Sequence, residues 1–151
     1  SITKINNLFQ NFDIEIIDSL SFKIDNVYIY KIKTKIKDLD LFLKNENIFL
    51  DIIYKALLNE INTICKLYYM AWEGLNLREI SLLRALIKYQ NQLFYEFNEN
   101  IIISTLLNNS KLTKLLIEYF KNKFSKKDLS LEKIIEQEIK QIKSINEDKI
   151  F

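Results

Sequence analysis

The chain has no histidine and no proline, one glycine and one cysteine among its 151 residues. Without histidine there can be no Ser-His-Asp or Cys-His catalysis, none of the usual zinc sites and no conventional pH switch. A single glycine excludes a phosphate-cradling P-loop and the GxGxxG dinucleotide fingerprint, so no cofactor site can be read from the chain. One cysteine excludes an internal disulfide and suits a reducing cytosol. With so little glycine and no proline, loops must be short or built from Asn, Asp and Ser. No apolar run approaches the roughly eighteen residues that a membrane helix needs. The longest candidate, IFLDIIYKALL, is broken by Asp51 and Lys55. No signal peptide is read, and a start at Ser1 without methionine reads as a processed or trimmed piece of something longer.

What is present points to one folded domain, alone or with a fragment of a second. Apolar residues make up 48% of the chain, with eight Tyr and ten Phe, which argues against disorder. The excess of Ile, Lys and Asn is what an AT-rich genome encodes. Net charge is +2, from 22 basic and 20 acidic residues, too balanced for a dedicated nucleic-acid binder.

The pattern predicts a helix over 2–11, with Ile5, Leu8, Phe9 and Phe12 near one side. A strand follows at 14–20, and SFKIDN (21–26) turns the chain. VYIYKIKTKI (27–36) alternates with period two: Tyr28, Tyr30, Ile32, Thr34 and Ile36 on one face, Lys31, Lys33 and Lys35 on the other. That reads as a half-buried strand. Two strands rarely stand alone, so residues 1–37 are expected to form an incomplete sheet with an edge open to docking. From Asp38 the chain reads helical. One helix or pair covers 39–73, with Gly74 as a left-handed cap, and another runs over 77–95. Asn98 caps a helix at 99–107, Ser110 caps one at 111–124, and the last covers 131–146.

Twenty residues are lysine and only two are arginine, and both arginines fall in GLNLREISLLRALIKY (74–89). Asn76-Leu77-Arg78-Glu79 has the form of a capping box, with Leu75 and Ile80 placed as a hydrophobic staple. Wound as a helix, Leu82, Tyr89, Leu93, Leu86, Phe97, Leu83, Phe94, Ile87 and Ile80 fill an arc about half the circumference wide. Arg78 and Arg84 flank that arc. They read as boundary residues tying a central helix to its neighbours, or as holders of an anion between them. Gln90 falls inside the arc and needs partners if buried.

Cys65 lies in an apolar stretch read as helix, a structural position rather than a reactive thiol. Met70 and Trp72 read as core. Glu132, Glu136 and Glu138 read as a solvated helix face. The Lys31/Lys33/Lys35 stripe reads as a solvent face guarding an edge, and KNKFSKK (121–127) is a weak nucleic-acid signal beside Glu118 and Asp128. No catalytic, cofactor-binding or metal residue is assigned.

Several stretches resemble the large NAD-specific glutamate dehydrogenases of bacteria. Gly74-Leu75-Asn76-Leu77-Arg78-Glu79-Ile80 and Leu82-Leu83-Arg84-Ala85-Leu86-Ile87-Lys88-Tyr89 are similar to a region ahead of that family's catalytic core. Asn109 to Phe124, Ile145 to Ile150, Leu8 to Asp18 and Val27-Tyr28-Ile29 are similar in the same order. Leu77 stands where the family usually has tryptophan and Leu86 where it has tyrosine. Residues 59–72 are apolar where the family has a polar turn. The resemblance implies two parts: 1–37 as a partial ACT-like, ferredoxin-like helix-strand-strand segment, and 38–151 as a helical domain. The fold class expected is mainly α, a multi-helix bundle after that segment.

The resemblance also implies a function. The chain is expected to be a noncatalytic regulatory or assembly segment of an enzyme that oxidatively deaminates glutamate to 2-oxoglutarate. NAD is implied for the full-length enzyme and not for this chain. A split-gene product or a remnant would look like this. Expected partners are the remaining segments of such an enzyme or further copies of the chain, without membrane or nucleic acid, in the cytoplasm. The alternative is a free-standing helical protein-interaction module.

Overall fold

The computed structural model describes residues 2–93, 98–125 and 129–142. It is mainly helical, with a helix and a two-stranded antiparallel sheet at the N-terminal end. The chain divides into two compact units, Ser1–Gly74 and Leu75–Phe151.

The first unit holds α1 (Ile2–Asn11), β1 (Glu15–Ile24), β2 (Val27–Lys35), α2 (Leu39–Lys44), α3 (Glu46–Leu57) and a 3-10 helix, Lys66–Glu73. Its core is aromatic. The ring of Phe49 meets Phe12 edge-on at 4.9 Å, Trp72 at 4.9 Å and Phe42 at 4.8 Å. Leu8, Phe12, Phe49, Ile52, Leu67 and Met70 are almost wholly buried, as the helical spacing of α1 and α3 requires. Trp72 donates its indole N–H to the carbonyl of Phe12, 2.6 Å away and buried. Asn45 donates to the carbonyl of Trp72 at 3.1 Å. Met70 and Trp72 are core, as read from the sequence.

Two readings are corrected here. Residues 58–65 are not helical: Asn59 takes a left-handed φ of 62°, and the side chain of Asn62 accepts from the N–H of Ile64 at 2.9 Å. Those two polar residues turn the chain between α3 and the 3-10 helix, and β-branched Ile61, Thr63 and Ile64 do not resist. Cys65 therefore sits in extended backbone just ahead of the 3-10 helix and is half-buried.

The hairpin departs further from expectation. β1 runs on to Ile24, so the turn is Asp25-Asn26 alone, with Asp25 at φ 53°. The register pairs Glu15 with Lys35, Asp18 with Lys33, Leu20 with Lys31, Phe22 with Ile29 and Ile24 with Val27, with a bulge between Ile16 and Asp18. The half-burial expected of β2 holds only near its base, where Ile32, Thr34 and Ile36 are partly covered. Beyond that, both faces are open. Leu20, Phe22, Ile24, Val27 and Ile29 share the lysine face, and each is about half exposed or more. Tyr28 and Tyr30 stack on the other face, 6.4 Å apart, with Lys23 over the Tyr28 ring. The alternation is real, but among the described residues of this unit no element covers either face at the tip.

The second unit contains α4 (Leu77–Leu93), α5 (Glu99–Asn108), α6 (Ser110–Ser125) and α7 (Leu129–Ile139). Successive helices pack on one another around Ile80, Leu83, Ile87, Ile102, Leu106, Leu112, Ile117 and Ile135. Two threonines are buried in this core, Thr105 and Thr113. Thr113 donates its hydroxyl to the carbonyl of Leu106 at 2.7 Å, and Asn109 donates its amide to that of Thr105 at 2.9 Å. Both acceptors lie in the last turn of α5, where helix carbonyls run out of partners; the Thr105 carbonyl also accepts from the backbone N–H of Asn109 at 3.1 Å. Asn98 caps α5 as expected, accepting from the N–H of Asn100 at 2.8 Å. α6 begins at Ser110 itself, one residue earlier than read. α7 ends at Ile139, and residues 140–142 turn instead of continuing the helix expected to 146; residues 143–146 and the similar run 145–150 lie outside the described residues.

Candidate functional site

The stretch that carries both arginines is built around a corner. The 3-10 helix ends at Gly74, whose φ of 84° is the left-handed value that a glycine tolerates without strain. Its N–H bonds the carbonyl of Ala71 at 3.0 Å. A Cβ built at Gly74 would lie 3.3 Å from Oδ1 of Asn45. Two residues on, the capping box read from the sequence is present in full. Glu79 donates its backbone N–H to Oδ1 of Asn76 at 3.0 Å, and Asn76 donates its own to Oε2 of Glu79 at 2.9 Å. Leu75 and Ile80, each 2% exposed, occupy the staple positions.

Glu79 does more than cap. Its other carboxylate oxygen pairs with Nζ of Lys121 on α6, 2.5 Å away. Burial pushes the Glu79 carboxyl up. The hydrogen bonds from Lys121 and the Asn76 backbone, with the charges of Lys121 and Lys114, outweigh it and hold the group below the ordinary carboxylate value. One carboxylate thus fixes the start of α4 and ties it to α6. This pair was missed in the sequence, because forty-two positions separate its members.

The arginines do not perform the tying expected of them. Ile80, Leu83 and Ile87 form the buried stripe of α4, Leu82 and Leu86 are only partly covered, and Tyr89 and Leu93 are 59% and 53% exposed. Phe94 and Phe97 lie outside the described residues. The buried stripe is narrower than the arc drawn from the pattern, so Arg78 and Arg84 stand clear of it. Both are exposed, and among the described residues neither makes an ion pair. Six residues apart on a helix, they face different sides and do not converge on one anion. Gln90 is half-buried and engaged.

Of the other candidates, Glu132 and Glu136 are exposed on α7 and Glu138 is partly covered, a solvated face as read. Lys31, Lys33 and Lys35 are exposed on β2. In the basic run 121–127, Lys121 is engaged by Glu79 and Lys123 lies over the ring of Tyr119; Lys126 and Lys127 lie outside the described residues. A cleft in the first unit is bounded by Asp13, Lys37, Asp38, Leu41, Tyr69, Trp72 and Glu73. It joins three carboxylates to one lysine, and Lys37 is already paired with Asp13. The one glycine closes a 3-10 helix and does not lie in a loop between a strand and a helix. No helix of the described residues is long and apolar enough to cross a membrane.

α4, α5 and α6 form a run of successively packed helices that opens on a capping box. Residues 69–126 match the family described as glutamate dehydrogenase, helical motif 3. That region is similar to a glutamate dehydrogenase helical motif, and it contains the Gly74 helix end, the capping box, both arginines and the Glu79–Lys121 pair. No curated protein matches the chain.

Proposed function

We propose that the chain is a noncatalytic segment of a large NAD-dependent glutamate dehydrogenase of bacterial type, serving assembly or regulation of the enzyme that deaminates glutamate to 2-oxoglutarate. The observation that carries this reading is the helical-motif match over 69–126. It is supported by what that region invests in, the capping and tying of helices. In this reading the helix and hairpin of 1–37 are the end of an ACT-like regulatory domain. The open faces of β1 and β2 are where helices of such a domain would lie. NAD and glutamate bind elsewhere in the whole enzyme.

The purified chain should reduce no NAD in the presence of glutamate. Supplied in excess to a catalytic core of this enzyme class produced without its own helical motif, it should bind and change the activity of that core. Turnover by the chain alone, or no binding to such a core, would overturn the reading. A free-standing interaction module is the second reading. It is favoured by the uncovered stripe Leu50, Tyr54 and Leu57 on α3, which gives an isolated helical protein a docking face.

A further inference from the structure

The hairpin has two long edges, and they are not alike. β2 presents Lys31, Lys33 and Lys35 along its length, all exposed. A second β2 laid antiparallel against it would set lysine opposite lysine, or lysine opposite Val27 and Ile29. That edge is guarded. β1 is bounded at one end by the bulge at Ile16/Asp18 and at the other by the Asp25-Asn26 turn, which leaves 18–24 as its regular stretch. In that stretch the charged residues are Asp18 and Lys23, of opposite sign.

Hydrogen-bond direction along β1 follows from the turn. Ile24 and Val27 close a two-residue turn, so their backbone groups face each other, and alternation sends those of Phe22 and Leu20 the same way. The N–H and C=O groups of Ser19, Ser21 and Lys23 then point to the free edge. Ser21 is the middle of 18–24 and the middle of this outward set. An antiparallel copy of β1 centred there sets Ser21 opposite Ser21, Ser19 opposite Lys23, Leu20 opposite Phe22 and Asp18 opposite Ile24. All three outward residues are paired, no like charges meet, and the apolar residues fall on one face. Moving the register by two residues in either direction leaves one outward residue of each strand unpaired.

We propose that the β1 edge is a homodimer interface, at which a second copy of this chain pairs β1 to β1 antiparallel about a two-fold axis at Ser21. The product is a four-stranded sheet in the order β2-β1-β1-β2. The contact is self-complementary and closed. Its outer edges are the two lysine-bearing β2 strands, and the lysines stop further strands from adding. This goes beyond the glutamate dehydrogenase reading and does not depend on it.

The test uses the full 151-residue chain. Sedimentation should give the mass of a dimer at concentrations up to about 100 µM, the range of weak specific contacts. Ser21→Lys and Ser21→Glu each place like charges across the axis, and each variant alone should sediment as a monomer with an unchanged far-UV spectrum. Mixed in equal amounts they should form a heterodimer, weakened by salt. A monomeric parent chain would overturn the proposal, as would a dimer that survives both substitutions. So would a dimer lost on Tyr54→Glu instead, which would place the contact on α3.

Discussion

Glu79 is a single side chain that caps one helix and binds another, and its two roles separate by substitution. Glu79→Ala removes both and should cost about 1 kcal/mol for the cap alone, with the loss of the Lys121 pair in addition. Glu79→Gln keeps an acceptor for the Asn76 N–H and removes only the charge. The folded carboxyl titrates below its ordinary value of 4.5, so its contribution is fully present above that value and is lost as pH falls through the folded one. The melting temperature of the parent chain should exceed that of Glu79→Gln at pH 7, and the gap should close under acid conditions. A gap independent of pH would show that charge is not what Glu79 supplies. At Gly74, valine would have to hold φ 84° with its Cβ against Asn45, at a cost of at least about 1 kcal/mol. Thermal melts of Gly74→Val measure it. The capping box was legible because its members lie within four consecutive residues. Lys121 was not legible as the partner of Glu79, nor Asn45 as the neighbour of Gly74, because each lies far from that residue along the chain.

At the scale of elements, periodicity located most helices and both strands. It could not say how far each is covered. β2 alternates as a half-buried strand should, yet Val27, Tyr28 and Ile29 are exposed, because burial depends on what lies opposite. Likewise the α4 pattern drew a wide arc, and the packing buries only the Ile80, Leu83 and Ile87 stripe. The same difference is measurable. Amides of β2 should exchange with solvent faster than those of α4 between Ile80 and Ile87, in hydrogen-exchange experiments on the monomeric Ser21→Lys chain. Equal protection would mean that the hairpin is covered. Residues 58–65 fail for another reason: their apolar content suggests a helix, while Asn59 and Asn62 make local bonds and angles that end one.

Across the whole molecule, the two compact units carry different reporters. Trp72 is the one tryptophan and is buried in the first unit, so its fluorescence follows that unit. Far-UV circular dichroism follows the helices of both. Glu79→Ala lies in the second unit, and it should shift the transition seen by circular dichroism more than the one seen by fluorescence. Equal shifts would show that the units unfold as one. Trp72→Phe should do the reverse. It leaves the buried Phe12 carbonyl without its donor, at a cost of about 1–3 kcal/mol.

Composition alone excluded histidine chemistry and glycine-loop nucleotide binding, because those chemistries need residue types that are absent or nearly so. Local order alone wrote the capping box, the Asn98 cap and the alternation of β2, because each depends on neighbours a few positions apart. Only the tertiary structure decided that Lys121, not either arginine, ties α4 to α6. It alone decided that Trp72 bonds to Phe12, and that the hairpin tip stands uncovered on both faces. Those outcomes depend on which distant side chains come within a few ångströms, a property of the packed chain that no short window of sequence contains.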